Sequence, residues 1–590
     1  SMPAEYSLSE LIKFHLDNYN SNKDNNENYE LETRFNTKGV KTTRNQFENV
    51  IQLLKSKGFN IVDGENGMNI LKIQNEFMDP TLVGKDRISR IRVEIEGISS
   101  VQDYCRTNDL NQVIDKNAFA ISFQNKTYIK NDKNQSVFPI DVKDYNLRVS
   151  YQKEVELSEY SGLIKGLKAE WNETKKIFRY MNRTTFVHPD FPFKVDMSIV
   201  KSSTFDTRKR PIPVYKIEES GVFNNPEGFE IEIELDNKAM KKLFENTNPF
   251  NTQENAEKIK ASLLKVVKFV LSGLQNTPYP QPYPLIDSAK YEYLELIYGK
   301  PEKRWPKNKD FCGPSSLTLQ MVNLQPLTED TAAPNIRQMY SVTDKADGDR
   351  KLLFINKEGL IYLINTNMDF QFTGTKTTNS KLKSTLLDGE HILYNKTNKF
   401  INLYAAFDVY VISGRSIRDN GFIPSKPSDV ANNFRLPILQ NIIKSQTFVS
   451  AQSSSKQAPL EIQAKKFKSG IEIDDIFKGC ESILTDMENG LYPYNTDGLI
   501  FTPVDYGVGC TKPGEKSKVA KLTWELSFKW KPPEFNTIDF LITTEKSDSG
   551  EDTIKNTFKQ GVGLVETNDL NQFKIIKLRC GFDERNHGYL

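Results

Sequence analysis

Cysteine is scarce: five among 590 residues, at positions 105, 312, 480, 510 and 580, with no CxxC pair. That scatter argues against a disulfide framework or a zinc site and suits a reducing compartment. No apolar run approaches the roughly 18 residues of a membrane span. No basic leader precedes an apolar core, so neither membrane insertion nor secretion is expected. Net charge is only +2, from 79 Lys and Arg against 77 Asp and Glu. A global basic field is excluded, and any nucleic-acid site has to be local. No glycine-rich loop of the kind that binds S-adenosylmethionine follows a strand. Ser1 ahead of Met2 reads as a residue left by tag cleavage, which makes Met2 the expected native start. What is present, 37% hydrophobic and 26% charged residues, is the composition of a soluble globular chain. At roughly 100–200 residues per domain, the length predicts three or four domains or fewer large ones.

The pattern divides the chain. Residues 1–236 are mostly strand-like after a short helix and a polar loop at 19–28. Residues 237–336 carry helical spacing, clearest from Ile259 to Leu274, and then the stiff stretch Pro278 to Pro284 that reads as an interdomain linker. Residues 337–536 return to mixed strand and helix, and 537–590 form a last segment. The polar stretches 449–458 and 545–552 read as surface loops. The fold class expected is therefore α+β and multidomain.

Four strands in the first region look inside out. In 29–35 one face is Glu30, Glu32 and Arg34, and the other Tyr29, Leu31, Thr33 and Phe35. Residues 90–96, 147–157 and 229–235 repeat the alternation, the last with Glu230, Glu232 and Glu234 against Phe229, Ile231, Ile233 and Leu235. A wet face on an open sheet would explain any one strand. Four of them, with three glutamates in a row that repel one another, point instead to a shared polar interior. Closing the sheet into an antiparallel barrel puts that face inside and the apolar faces outward against helices. Such an interior suits a triphosphate, because carboxylates hold a hard divalent cation while Arg and Lys grip phosphate oxygens. Arg179 with Arg183, and Lys194 with Asp196 and Ser198, are further candidates on shared strand faces.

The segments Glu30-Leu-Glu32-Thr-Arg34-Phe35 and Glu230-Ile-Glu232-Ile-Glu234 resemble the two glutamate motifs of triphosphate tunnel metalloenzymes, which include RNA triphosphatases of fungi and large DNA viruses. The resemblance spans about residues 25–236 and implies an eight-stranded tunnel that cleaves the γ-phosphate of 5′-triphosphate RNA. It places Mg²⁺ or Mn²⁺ on Glu30, Glu32 and Glu234, with Glu230 and Glu232 in support. It makes Arg148, Arg179, Arg183 and Lys194 phosphate ligands, and has Glu154 orient the attacking water.

A second constellation begins at Thr343-Asp-Lys345-Ala-Asp347-Gly348-Asp-Arg350. Alone it could be a surface turn. It is followed in order by Asp388-Gly-Glu390, Phe407-Asp408, Asp497-Gly498 and Lys529-Trp-Lys531-Pro-Pro. This series resembles the motifs of covalent nucleotidyltransferases, the superfamily of mRNA guanylyltransferases and polynucleotide ligases, over about residues 337–545. The resemblance implies that Lys345 attacks the α-phosphate of a nucleotide. A free lysine, with a pKa near 10.4, needs neighbouring cations, a metal and desolvation to become an amine. Arg350 and Glu390 are then expected on the sugar and Phe407 on the purine. Asp497 is expected on metal or phosphates, Lys529 and Lys531 on the α-phosphate, and Asp347 in the positioning of the lysine loop.

The superfamily also implies an OB-fold lid with a final Arg-x-Asp-Lys-like motif. Residues 537–590 begin like that fold, but the ending Cys580 to Leu590 is a poor match to the motif, so the chain is expected to be cut from a longer protein or to have an unusual lid. Together the two modules resemble the capping enzymes of poxviruses, mimiviruses and other large cytoplasmic DNA viruses. That implies GTP as substrate, 5′-triphosphate RNA as partner, a viral polymerase or methyltransferase module nearby, and a cytoplasmic virus factory or virion as location. An ATP-dependent ligase and a non-catalytic RNA-binding subunit are the alternatives.

Overall fold

The computed structural model describes residues 5–21, 27–62, 64, 66–78, 86–471, 476–520, 522–556 and 572–581. Residues 22–26 of the expected polar loop, the Ser1–Met2 start and 582–590 of the poorly matching ending lie outside these. Contacts divide the chain into two compact units, Ser1–Asn276 with Asp539–Leu590, and Thr277–Ile538.

In the first unit eight long strands close a ring. They are β1 (Glu27–Phe35), β2 (Met68–Met78), β3 (Ile91–Glu96), β4 (Ile121–Tyr128), β5 (Leu147–Glu156), β6 (Lys176–His188), β7 (Phe191–Ser202) and β8 (Gly228–Leu235). The order is β6-β7-β8-β1-β5-β4-β3-β2, and β2 pairs back onto β6, every pairing antiparallel. The first and last strands lie side by side, with Glu32 opposite Glu234 and Arg34 opposite Glu232.

Alternation decides which side faces in. Leu31, Thr33, Val93, Ile95, Ile231 and Ile233 are buried on the outer wall, where helices cover them. Val101, Tyr104, Leu110, Val113 and Ile164, from α3 (Ile98–Thr107), α4 (Leu110–Lys116) and α5 (Gly162–Ala169), pack against Leu71, Ile73, Val93, Phe123 and Phe178 of the wall. Elsewhere the wall is served by α1 (Leu8–Ser21), α2 (Arg44–Ser56) and α6 (Gln253–Gln275), which pack on one another. Thr43 and Gln46 close a reciprocal capping box at the start of α2. Gly273 of α6 lies so near α2 that an added Cβ would be 2.6 Å from the Val50 Cα. The helical part of 237–336 is thus split. α6 buries Ile259, Leu263, Val266 and Val270 in the tunnel unit, whereas α7 (Tyr283–Tyr298) starts inside the expected proline-rich linker and belongs to the second unit. Pro at the first turn of α7 suits a helix start, which is why the proline run does not stay extended.

The second unit holds two sheets. One orders β9 (Ser315–Thr318), β17 (Thr523–Trp530), β16 (Thr496–Pro503), β10 (Tyr340–Ala346) and the short strand Lys468–Ser469. The other is built on β11 (Asp349–Ile355), β12 (Leu360–Asn365), β13 (Phe370–Thr377), β14 (Thr385–Tyr394) and β15 (Phe400–Ile412). α7, α8 (Arg435–Lys444) and α9 (Ile476–Glu488) contribute to three separate apolar cores. Of the expected lid, the described residues form two two-stranded ladders, Leu541–Thr544 with Ile576–Arg579 and Ile554–Asn556 with Gln572–Lys574. They cluster with the tunnel unit.

Candidate active sites

The tunnel narrows to a chamber of about 90 Å³ lined by twelve side chains, all of them ionisable. Seven are carboxylates (Glu30, Glu32, Glu94, Glu154, Asp196, Glu232, Glu234) and five are cations (Arg34, Lys72, Arg92, Lys126, Arg183). Glu232 is buried between Arg34, whose Nε is 2.5 Å from Oε1, and Arg183, whose Nη2 is 3.5 Å from Oε2. Burial alone would raise this carboxyl, but the two guanidiniums overcome it and hold it at about 2. Its neighbours go the other way. Glu234 is pushed up to about 8 by burial and by Glu30, Asp196 and Glu32. Glu32 is raised by burial and by Glu232, and Glu154 by burial and Glu30. Lys72 is pulled down to about 8 by burial.

An all-oxygen donor set whose carboxyls are forced upward by burial and then by one another's charge fits a hard divalent cation. Among the described residues, however, no three carboxylates converge tightly enough to enclose an ion. Lys126 stands among them, its Nζ 2.8 Å from Glu30, 3.5 Å from Glu32 and 3.5 Å from Glu154.

Most of the expected tunnel residues meet in the chamber. Arg148, Arg179 and Glu230 do not: they line a wider mouth of about 1100 Å³. Arg148 lies one step farther along the wall, opposite Arg34, and Asp141 of the short strand Ile140–Val142 captures it at 2.8 Å. Arg179 pairs with Glu230. Lys194 sits opposite Glu234 in the sheet but lines neither cavity. Sequence reasoning gave no role to Lys72, Arg92 or Lys126. The signal was present, since Lys72-Ile-Gln74 and Gln124-Asn-Lys126 continue the same alternation.

In the second unit the ladder between β10 and β16 is irregular between Asp344 and Ala346. Such an irregularity re-aims the side chain at that point, and Lys345 occupies it. Its Nζ lies 2.9 Å from Asp497 Oδ1, and Lys531 is 3.6 Å from the other oxygen of Asp497. Gly498 is needed beside it: its φ is +144°, and a Cβ there would lie 1.9 Å from the Trp530 carbonyl oxygen. Lys345 opens into a pocket of about 310 Å³, also lined by Arg350, Glu390, Phe407, Lys465 and Lys529. That is the lower end of small-molecule sites, roughly 300–1,000 Å³.

Phe407 presents its ring between cations, with the Arg350 guanidinium 5.6 Å and the Lys465 amine 5.8 Å from its centroid. Arg350 is itself fixed, donating to Asp388 at 2.6 and 3.2 Å and to the Pro314 carbonyl at 2.7 Å. Glu390 is pushed up to about 7 by burial, against the pull of Lys465, Arg350 and Lys345. Asp347 is exposed and outside the pocket; its backbone N–H, donating to the Asn495 carbonyl at 2.9 Å, ties the loop down instead. Three contributors escaped the sequence reading. Lys465 donates to the Asp344 carbonyl at 2.7 Å, Asp344 is fully buried beside the lysine, and Pro314 to Ser316 form one wall. Asp344 sits in the first motif beside Lys345 but was given no role there; Lys465 and Pro314 to Ser316 lie outside the motif series, so only the fold brings them in.

The first unit thus holds an antiparallel tunnel with an ionic interior, and the second a lysine-centred pocket. Residues 294–533 match the family model described as mRNA capping enzyme, catalytic domain. The chain is 26% identical over 439 residues to a probable mRNA-capping enzyme of Acanthamoeba polyphaga mimivirus, covering 69% of this chain and 32% of that protein. It is 28% identical over 280 residues to an mRNA-capping enzyme of Danio rerio, covering 44% and 40%. The chain thus spans about a third to two-fifths of these relatives' length. The solved structure of the S. pombe RNA triphosphatase Pct1 with the Spt5 CTD aligns with 45% of this chain and 95% of its own at 12% identity and a TM-score of 0.25. At that score the likeness carries no weight, and the tunnel stands on strand register alone.

Proposed function

We propose that the chain makes the 5′ cap of mRNA in two steps, one in each unit. The tunnel would remove the γ-phosphate of 5′-triphosphate RNA. A divalent cation held by Glu30, Glu32 and Glu234, with Glu232 in support, would polarise the phosphoryl oxygens and offset charge in the transition state. Arg183, Arg92 and Lys72 grip the phosphate oxygens. Glu154, raised by burial, accepts a proton from the attacking water as its oxygen bonds to the γ-phosphorus. The bond from that phosphorus to the bridging oxygen breaks, giving a 5′-diphosphate end and phosphate.

In the pocket, Phe407 stacks on guanine and Glu390 holds the ribose. Asp497 Oδ1 takes the proton that the Lys345 ammonium must lose, and Lys529 and Lys531 steady the α-phosphate. The Lys345 nitrogen bonds to the α-phosphorus of GTP and pyrophosphate leaves. A β-phosphate oxygen of the RNA then displaces the lysine and takes the GMP. The carrying observation is Lys345 itself, aimed by a ladder irregularity into a pocket between Glu390, Phe407 and Lys529, within the segment that matches the capping-enzyme family.

Incubation with α-labelled GTP or ATP and Mg²⁺ or Mn²⁺ tests it. A GMP adduct that disappears in Lys345→Ala supports capping; an AMP adduct would support a ligase; no adduct in the wild type would sink the transferase reading. Glu32→Ala is expected to abolish γ-phosphate release and leave the adduct intact. Joint loss of both activities would contradict two separate sites.

A further inference from the structure

Resting on the triphosphatase reading, we propose that the wide mouth of the tunnel seats the first nucleotides of a single-stranded RNA. Bases would stack on Tyr128 and Phe205, and backbone phosphates would lie on Arg148, Arg179 and Lys41. Three observations carry this. First, the mouth is continuous with the chamber, because Glu32, Arg34, Arg92 and Lys126 line both. The chamber is small and wholly ionic, a place for phosphates, whereas the mouth has room for what is attached to them.

Second, the charge balance reverses along the axis. The chamber has seven carboxylates to five cations, and the mouth six cations to four carboxylates. A polyanionic strand is therefore favoured outside and admitted inward only where its terminal phosphates are compensated. Arg148 is braced by Asp141 through Nε and Nη2, which leaves Nη1 for a ligand.

Third, the mouth offers exposed aromatic rings. Of the four aromatic residues that line it, Phe35, Tyr128, Phe205 and Phe229, Tyr128 at 45% and Phe205 at 54% are the exposed ones. Phe138 lies against the Tyr128 ring at 5.3 Å and steadies it. Exposed rings beside fixed guanidiniums are the sequence-tolerant apparatus that holds single-stranded nucleic acid. A free nucleoside triphosphate or inorganic polyphosphate would use the chamber but lay no strand across these rings.

The test uses the full chain, a fluorescent RNA of about ten nucleotides with a 5′-triphosphate, and inorganic tripolyphosphate as a second substrate. Tyr128→Ala and Phe205→Ala are each expected to weaken RNA binding by anisotropy, and to raise KM for RNA, roughly tenfold. Phosphate release from tripolyphosphate is expected to stay at the wild-type rate, and Tyr128→Trp to restore RNA binding. Unchanged RNA affinity in both alanine variants, or equal losses with RNA and tripolyphosphate, would overturn the proposal. Should the wild type release phosphate from neither substrate, the triphosphatase reading fails separately. The anisotropy comparison then still decides the mouth: unchanged affinity in the variants overturns the strand seat, and a tenfold loss sustains it.

Discussion

Glu390→Gln gives a stability change whose pH dependence can be worked from the structure. Burial raises the Glu390 carboxyl from its ordinary 4.5 to about 7. A carboxyl with a folded value above its unfolded one binds its proton more tightly in the folded state, so ionising it costs stability. The cost is absent below pH about 4.5, grows between the two values and is complete above pH about 7. At about 1.4 kcal/mol per pH unit of difference, the full cost is about 3 kcal/mol. Glutamine cannot ionise and escapes it. The variant should therefore gain about 2 kcal/mol on the wild type between pH 5.5 and 7.5. Urea unfolding followed by tryptophan fluorescence reads this in the relevant unit, because Trp305, Trp524 and Trp530 lie within Thr277–Ile538 and only Trp171 lies outside. A difference that does not change with pH, or one that favours the wild type as pH rises, would refute the burial argument.

Gly498→Ala puts a Cβ into the Trp530 carbonyl and should cut adduct formation at least tenfold, measured with labelled GTP; an active alanine variant would show that the ladder can yield there. Arg435 is fully buried and pairs at 2.9 Å with Asp408, the residue after Phe407. Arg435→Met leaves that carboxylate unpaired and should cost about 3–5 kcal/mol in chemical unfolding. Gly273→Val forces α6 off α2 and should lower the stability of the tunnel unit by about 1–3 kcal/mol, with nucleotide transfer unaffected.

Much of this was legible because period-two alternation is local. The four inside-out strands emerge as β1, β3, β5 and β8, and their polar residues face inward as the repulsion among Glu230, Glu232 and Glu234 suggested. What alternation cannot fix is depth along the barrel axis. That is set by register, which moves Arg148, Arg179 and Glu230 out to the mouth and brings Lys72, Arg92 and Lys126 into the chamber. In the pocket the motif order marked Lys345, Arg350, Glu390, Phe407 and Lys529. Lys465 carries no such mark. It enters because strand Glu461–Ala464 runs parallel to β15 and its successor, Lys465, donates its N–H to the Ala406 carbonyl, a long-range pairing that no short window of sequence contains.

The ring is closed by its first and last strands, β1 and β8. A ribosome that has delivered everything up to β7 has therefore delivered an open sheet with two raw edges and a carboxylate row that lacks its facing partners. Such edges invite pairing with other chains, and contacts this distant in sequence form slowly. The nascent protein thus keeps two unpaired edges until Gly228–Leu235 emerges, and a ribosome pause before that strand is where a holding chaperone would act on this unit.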